Sequence, residues 1–192
     1  MRKIPRRKSP FAKVGKNVVP PSQADLDWFR NRFRPKFNEM VMDPINRLVP
    51  SQDALIGFIF MSCAIDYLAG FWWGESTKRK VGTVFMKFID TYFVTNRYDS
   101  KDLYDSLRNG LVHLFTIKDK RYALAHNKPM LHLKTSTNGH ILLNAEDFRD
   151  DLIVAKELYF KDVETDAFYM EKLKERYNRD GFLDVFEVSI KS

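Results

Sequence analysis

The chain has 192 residues, 44% of them hydrophobic and 14% aromatic, which is enough for one sizeable core and too little for two full domains. Its single cysteine, Cys63, excludes an intramolecular disulfide and a disulfide-stapled scaffold. The net charge of +7 is concentrated at the start: residues 1–21 carry seven Lys or Arg and no acid, which leaves 25 basic groups against 25 acidic ones. The body of the protein is formally neutral.

Residues 1–21 include Arg2, Lys3, Arg6, Arg7 and Lys8 together with four of the eight prolines. That composition predicts a disordered or extended basic arm. Such an arm can hold RNA phosphates and release their counterions. No apolar run follows the basic residues, so the reading is a cytoplasmic protein without a signal peptide. Residues 22–192 are expected to form one domain.

From Ser22 the pattern becomes helical, with Leu26, Phe29, Phe33, Phe37, Met40 and Val41 at three- and four-residue spacing. Pro35 and Pro44 are expected to kink or divide this segment, since each removes a backbone donor. Arg30, Arg32, Arg34 and Lys36 read as a solvated basic face. A second helix spans residues 50–74. Its stretch Ala54–Trp73 is long enough to cross a bilayer, but Ser62, Asp66 and Gly70 recur every four residues as a narrow polar stripe. A central bundle helix, buried nearly all round, accounts for the run without a membrane. Cys63 in this setting reads as a buried thiol. Asp66 is the only charge in the run, and a carboxylate there is costly unless paired. Arg108 or His113 across a helix pair would satisfy it. A third helix is expected over Thr77–Thr95, with Val81, Val84, Phe85, Phe88, Ile89 and Phe93 inward.

The fourth helix is Asp99–Lys118. Asp99 or Ser100 can cap it, and Leu103, Leu107, Leu111 and Leu114 make one apolar stripe. At about 100° per residue, Asp105, Asn109 and His113 fall in a row nearly opposite, with Arg108 on the flank between the rows. On this reading Arg108, Asn109 and His113 point away from the chain's own core. Gly110 in mid-helix fits a close approach by another backbone. Arg108-Asn109-Gly110-Leu111-Val112-His113 resembles the signature of the HEPN superfamily, an Arg and a His separated by four to six residues on one helix of an all-α bundle. A second Arg-x4-His match, Arg121 to His126, sits at a helix exit and lacks that context.

The chain changes character after residue 118. Leu131, Leu133, Ile141 and Leu143 alternate around Asn138-Gly139, which predicts a β-hairpin. A helix opens at Asn144 with Asp147 three residues on, a further helical segment runs from Phe168 to Tyr177, and Asp180-Gly181 ends it. Phe182–Ile190 reads as a strand added to the hairpin. The expected fold is therefore mainly α: an up-down helical bundle over residues 22–118, with a small β-hairpin and a helical extension over 119–192. His126, His132 and His140 fall around the hairpin with no cysteine nearby, which argues against a zinc site. There is no Walker-type glycine loop, GxGxxG, Gly-x-Ser-x-Gly or His-Glu-x-x-His, and nucleophilic chemistry at Cys63 is disfavoured by its apolar surroundings.

The HEPN resemblance implies a metal- and cofactor-independent endoribonuclease. In that chemistry RNA's own 2′-hydroxyl is the nucleophile. His113 would act as general acid or base, Arg108 would stabilise the phosphorane, and Asn109 would orient His113 or the phosphate. Asp66 would support the Arg or the imidazole. The resemblance also implies a homodimer through the Arg108–His113 helix, RNA as partner, an antitoxin or regulatory partner, and a role in toxin or antiviral defence. The alternative is a catalytically inactive HEPN-like dimeric module for binding or regulation. In one branch of the family a Tyr stands two residues after the His; here that position is Phe115, which excludes modification of a tyrosine at this point.

Overall fold

The structure, a computed structural model, describes residues 18–51, 53–77, 80–93, 97–114 and 121–181. Residues 1–17 of the basic arm, Phe115 and the expected strand at 182–190 lie outside these residues.

The first helical run, α1, covers residues 23–48 without interruption. Ser22 caps it, its Oγ accepting from the Asp25 N–H at 3.2 Å. Phe29, Phe33, Phe37, Val41, Ile45 and Val49 follow at a strict four-residue interval, and each is at most 8% exposed. In a regular α-helix of 3.6 residues per turn, such a repeat drifts by about 40° per step and about 200° over five. It would wind more than half-way round the helix. The backbone removes that drift by widening to π geometry over Phe29–Phe33 and Asn38–Met42, where the Arg34 and Asp43 N–H groups reach back to the carbonyls of Phe29 and Asn38. The six side chains thereby stay on one face. Pro35 and Pro44 each stand just after one of these widened turns. The two prolines do not divide the segment, because a π turn absorbs the missing donor within a continuous helix.

Helix α2, Ala54–Trp73, runs from Asp53 to Gly74, whose φ of 79° ends it. It packs against α1, against α3 (Val81–Tyr92) and against α4 (residues 100–114). It also packs against α5 (Ala145–Thr165) and α6 (Ala167–Asp180). Its length and hydropathy would suit a bilayer, yet most of it is buried within the fold. The buried surround is incomplete near the N-terminus, where Leu55, Ile56 and Phe60 are 50%, 43% and 42% exposed.

The C-terminal helices complete the same core. Phe160 of α5 meets Phe29 and Phe37 edge-on at 5.2 and 5.4 Å, and Phe33 meets Phe71 of α2 at 5.0 Å. Arg30 and Arg34 pair with Glu164 and Glu157 of α5 at 2.9 and 2.6 Å. These two members of the basic cluster tie helix to helix, while Arg32 is exposed. Asp166 caps α6, accepting from the Phe168 N–H at 3.0 Å.

The expected antiparallel hairpin is replaced by a two-stranded parallel sheet. Strand β1, Tyr122–Ala125, pairs with β2, Ile141–Asn144, in the register Tyr122 to Ile141. The Asn138-Gly139 turn does form, with Gly139 at φ 80°, but it closes only one antiparallel bridge, Thr135 to Ile141. Residues 129–131 coil into a 3₁₀ turn and Leu133 takes φ 59°, so no continuous strand precedes the turn. The protein is mainly helical with this one small sheet.

Where the sheet meets α5, His132 is 2% exposed at its side chain. The Asn144 N–H donates to its Nδ1 at 3.1 Å, so Nε2 carries the proton and faces the Tyr98 oxygen at 3.0 Å. Tyr98 in turn donates to Asp151 at 2.5 Å, and Arg97 stands 3.2 Å from that carboxylate. Burial, with Arg97 adding to it, holds the imidazole below its ordinary 6.5, although Asp147 and Asp151 act in the opposite sense. Between the folded and unfolded values the unfolded chain binds more protons, so this contribution is complete above about pH 6.5 and is lost as pH falls through the folded value. Denaturant titrations at pH 7.5 and 5.5 should therefore show a larger loss for the wild type than for His132→Gln. Equal losses would contradict the locked neutral imidazole.

Candidate functional site

The site is built where α4 crosses α2. Asp99 caps α4 by accepting from the N–H groups of Lys101 and Asp102, both at 3.0 Å. Leu103, Leu107 and Leu111 are buried at four-residue spacing, as in α1. The backbone answers in the same way: Tyr104–Leu111 is π-helical, and the Val112 N–H reaches the Leu107 carbonyl. Tyr104 lies against α3 at Gly82, where an added Cβ would come within 2.8 Å of its ring.

The widened turn regroups the polar side chains. Five residues of regular α-helix separate two side chains by about 140°. The wider turn of π geometry brings them closer round the helix. Arg108 and His113 are five apart, and the Arg108 Nη1 donates to the His113 Nε2. A guanidinium can only donate, so Nε2 is the acceptor and the imidazole proton sits on Nδ1. Asn109 keeps its place in the row beside Asp105, four residues back, whose carboxylate its amide reaches at 3.5 Å, at the limit of a hydrogen bond. The structure brings Arg108, His113 and Asp66 together and leaves Asn109 beside them, half-buried on its own helix.

Arg108 does not point away from the chain's core. Its Nε donates to the Asp66 Oδ2 at 2.8 Å, with both side chains about one-quarter exposed. The polar stripe of α2 is the wall of this site. A cavity of about 340 Å³ opens between α2, α3, α4 and α6, lined by Cys63, Asp66, Tyr67, Arg108, Val112 and Arg176 among others. Cys63 is an exposed residue at this wall, not the buried thiol expected, because among the described residues no helix covers the face of α2 that carries it. Partial desolvation, and then the Asp66 carboxylate, push its thiol above the usual range, with Arg108 opposing. A protonated thiol is a poor nucleophile. His113 is exposed at the rim.

The second Arg-x4-His match is spatially divided. Arg121 pairs with Asp102 at 2.6 Å, and the His126 Nδ1 stands 2.9 Å from Glu146. Among the described residues no group of three or more His, Cys, Asp or Glu is gathered to hold a metal ion. Arg176 lines the cavity from α6, and sequence periodicity did not single it out. The only signal for it was Gly70 in the stripe of α2, which leaves room for its guanidinium.

No protein-family model matches the chain, and no curated protein or solved structure matches it either.

Removing one partner of a part-buried ion pair leaves the other charge unsatisfied. Asp66→Ala is expected to cost about 1–3 kcal/mol of stability by denaturant unfolding. In a double-mutant cycle with Arg108→Met the two losses should be less than additive. Strict additivity would show that the pair is not coupled.

Proposed function

We propose that the protein is a metal-independent endoribonuclease of HEPN type, with an up-down four-helix arrangement around α2 and its active site on α4. The observation that carries the reading is the contact between the Arg108 guanidinium and the His113 imidazole at the rim of a cavity of about 340 Å³. RNA cleavage by this route needs a base, an acid and a charge stabiliser, and these two groups supply the base and the stabiliser. The 2′-oxygen attacks the adjacent phosphorus, a P–O2′ bond forms and the P–O5′ bond breaks. A base removes the 2′ proton and an acid protonates the leaving 5′-oxygen. Arg108 matches two equatorial phosphate oxygens as a bidentate donor. An incoming phosphate competes for its Nη groups, which frees the Nε2 lone pair of His113 to take the 2′ proton. Asp66 holds the Arg108 stem through Nε, so the outer edge of the guanidinium stays aimed at substrate. Asn109 is assigned to the substrate side of the same helix. The products are a 2′,3′-cyclic phosphate and a 5′-hydroxyl.

One chain supplies one imidazole at this rim. A homodimer about a two-fold axis beside α4 supplies the second, as acid to the first's base. What supports this is the uncovered apolar face of α2, where Leu55, Ile56 and Phe60 lead on from Cys63 at the cavity wall. The arm residues Arg2, Lys3, Arg6, Arg7 and Lys8 are assigned to the RNA backbone, outside the cleavage site. The proposed setting is the cytoplasm, in toxin or antiviral defence, with an antitoxin or regulator to restrain it.

Incubation with single-stranded RNA in EDTA tests the reading. Wild type should cut, and His113→Ala and Arg108→Ala should each lose at least about 100-fold in rate. RNA carrying 2′-deoxy residues should resist. Binding without cutting would assign the protein to the inactive binding-module class, and undiminished cutting by both variants would remove the site from α4.

A further inference from the structure

The cavity beside Arg108 holds a second guanidinium from a different part of the chain. Arg176 stands on α6, and its guanidinium carbon lies 3.5 Å from the place a Cβ on Gly70 would occupy. Gly70 is four residues beyond Asp66, so the two positions are consecutive on one face of α2, about 5–6 Å apart. Asp66 carries Arg108 and Gly70 carries Arg176. Two cations thus stand one helical turn apart along the same wall.

The Nε of Arg176 is held by Asp180 at 2.6 Å, a bond that fixes the plane of the group and leaves both Nη groups as donors. Its side chain is 22% exposed, so it opens to the cavity and not to bulk solvent on all sides. Arg108 is arranged alike, with its Nε on an acid and its Nη edge outward. A carboxylate behind each Nε leaves the Nη groups to receive phosphate oxygens, directly in Arg176 and by displacing the His113 contact in Arg108.

We infer that Arg176 binds the phosphate next to the scissile one, so that the cavity takes two successive phosphates of a single RNA strand. This rests on the ribonuclease reading above and deepens it. Arg108 touches the reacting phosphate; Arg176 does not, and acts by positioning the strand. Its contact is to backbone, so it strengthens binding without sequence preference.

The test uses the full chain and a 2′-O-methyl RNA oligonucleotide that cannot be cleaved, with binding followed by fluorescence anisotropy over a salt series. Arg176→Gln should weaken binding about tenfold, equally for unrelated sequences. It should also reduce the salt slope by about 0.7, the share of one single-strand phosphate contact. With cleavable RNA, KM should rise while kcat stays within about twofold. Arg176→Lys retains the charge, so it should keep the salt slope and recover part of the affinity, and it serves if the Gln variant melts early. Unchanged affinity and slope in a folded Arg176→Gln protein, with wild type binding RNA, would overturn the assignment of Arg176 alone. Failure of the wild type to bind any RNA would overturn the ribonuclease reading and this inference with it.

Discussion

A carboxylate in the middle of an apolar helix has to be satisfied, and the arrangement of the site follows from how Asp66 meets that demand. Its partner is Arg108, reached across the crossing of α2 and α4. The guanidinium is thereby held by its Nε, and only its outer edge remains to serve anything else. His113 occupies that edge. The pair is part-buried, and its worth to stability is modest because desolvation opposes the attraction. Its larger effect is geometric, since it gives a long, flexible side chain a single direction.

The second determinant is the pitch of the backbone. Both α1 and α4 carry apolar residues every fourth position, and both widen to π geometry to keep those residues on one face. In α1 the consequence is a continuous row of aromatic contacts against α5 and α2. In α4 the same adjustment changes which polar residues are neighbours. Packing of Leu103, Leu107 and Leu111 therefore decides that Arg108 meets His113.

Much of this was legible in the sequence. The helix positions, the helix starts at Ser22 and Asp99, the need of Asp66 for a basic partner, and the buried aromatic positions all follow from periodicity and residue chemistry. What was missed has specific causes. Cys63 was placed inside because hydropathy cannot tell which face of an apolar helix a neighbour leaves uncovered. The parallel pairing of β1 with β2 was hidden because a strong turn at Asn138-Gly139 suggested the local partner, while the real one lies sixteen residues or more upstream. Arg176 gave no signal of its own, since its place at the site is created by the docking of α6 onto α2.

The central claim is that Arg108 and His113 form one hydrogen-bonded unit anchored on Asp66. Nitrogen-15 NMR of the histidine rings at neutral pH tests it most directly, because it reads which ring nitrogen carries the proton. The His113 ring, while neutral, should be protonated at Nδ1 with Nε2 accepting a hydrogen bond, and Arg108→Met should abolish this preference. A neutral His113 protonated at Nε2 in the wild-type protein, unmoved by Arg108→Met, would contradict it.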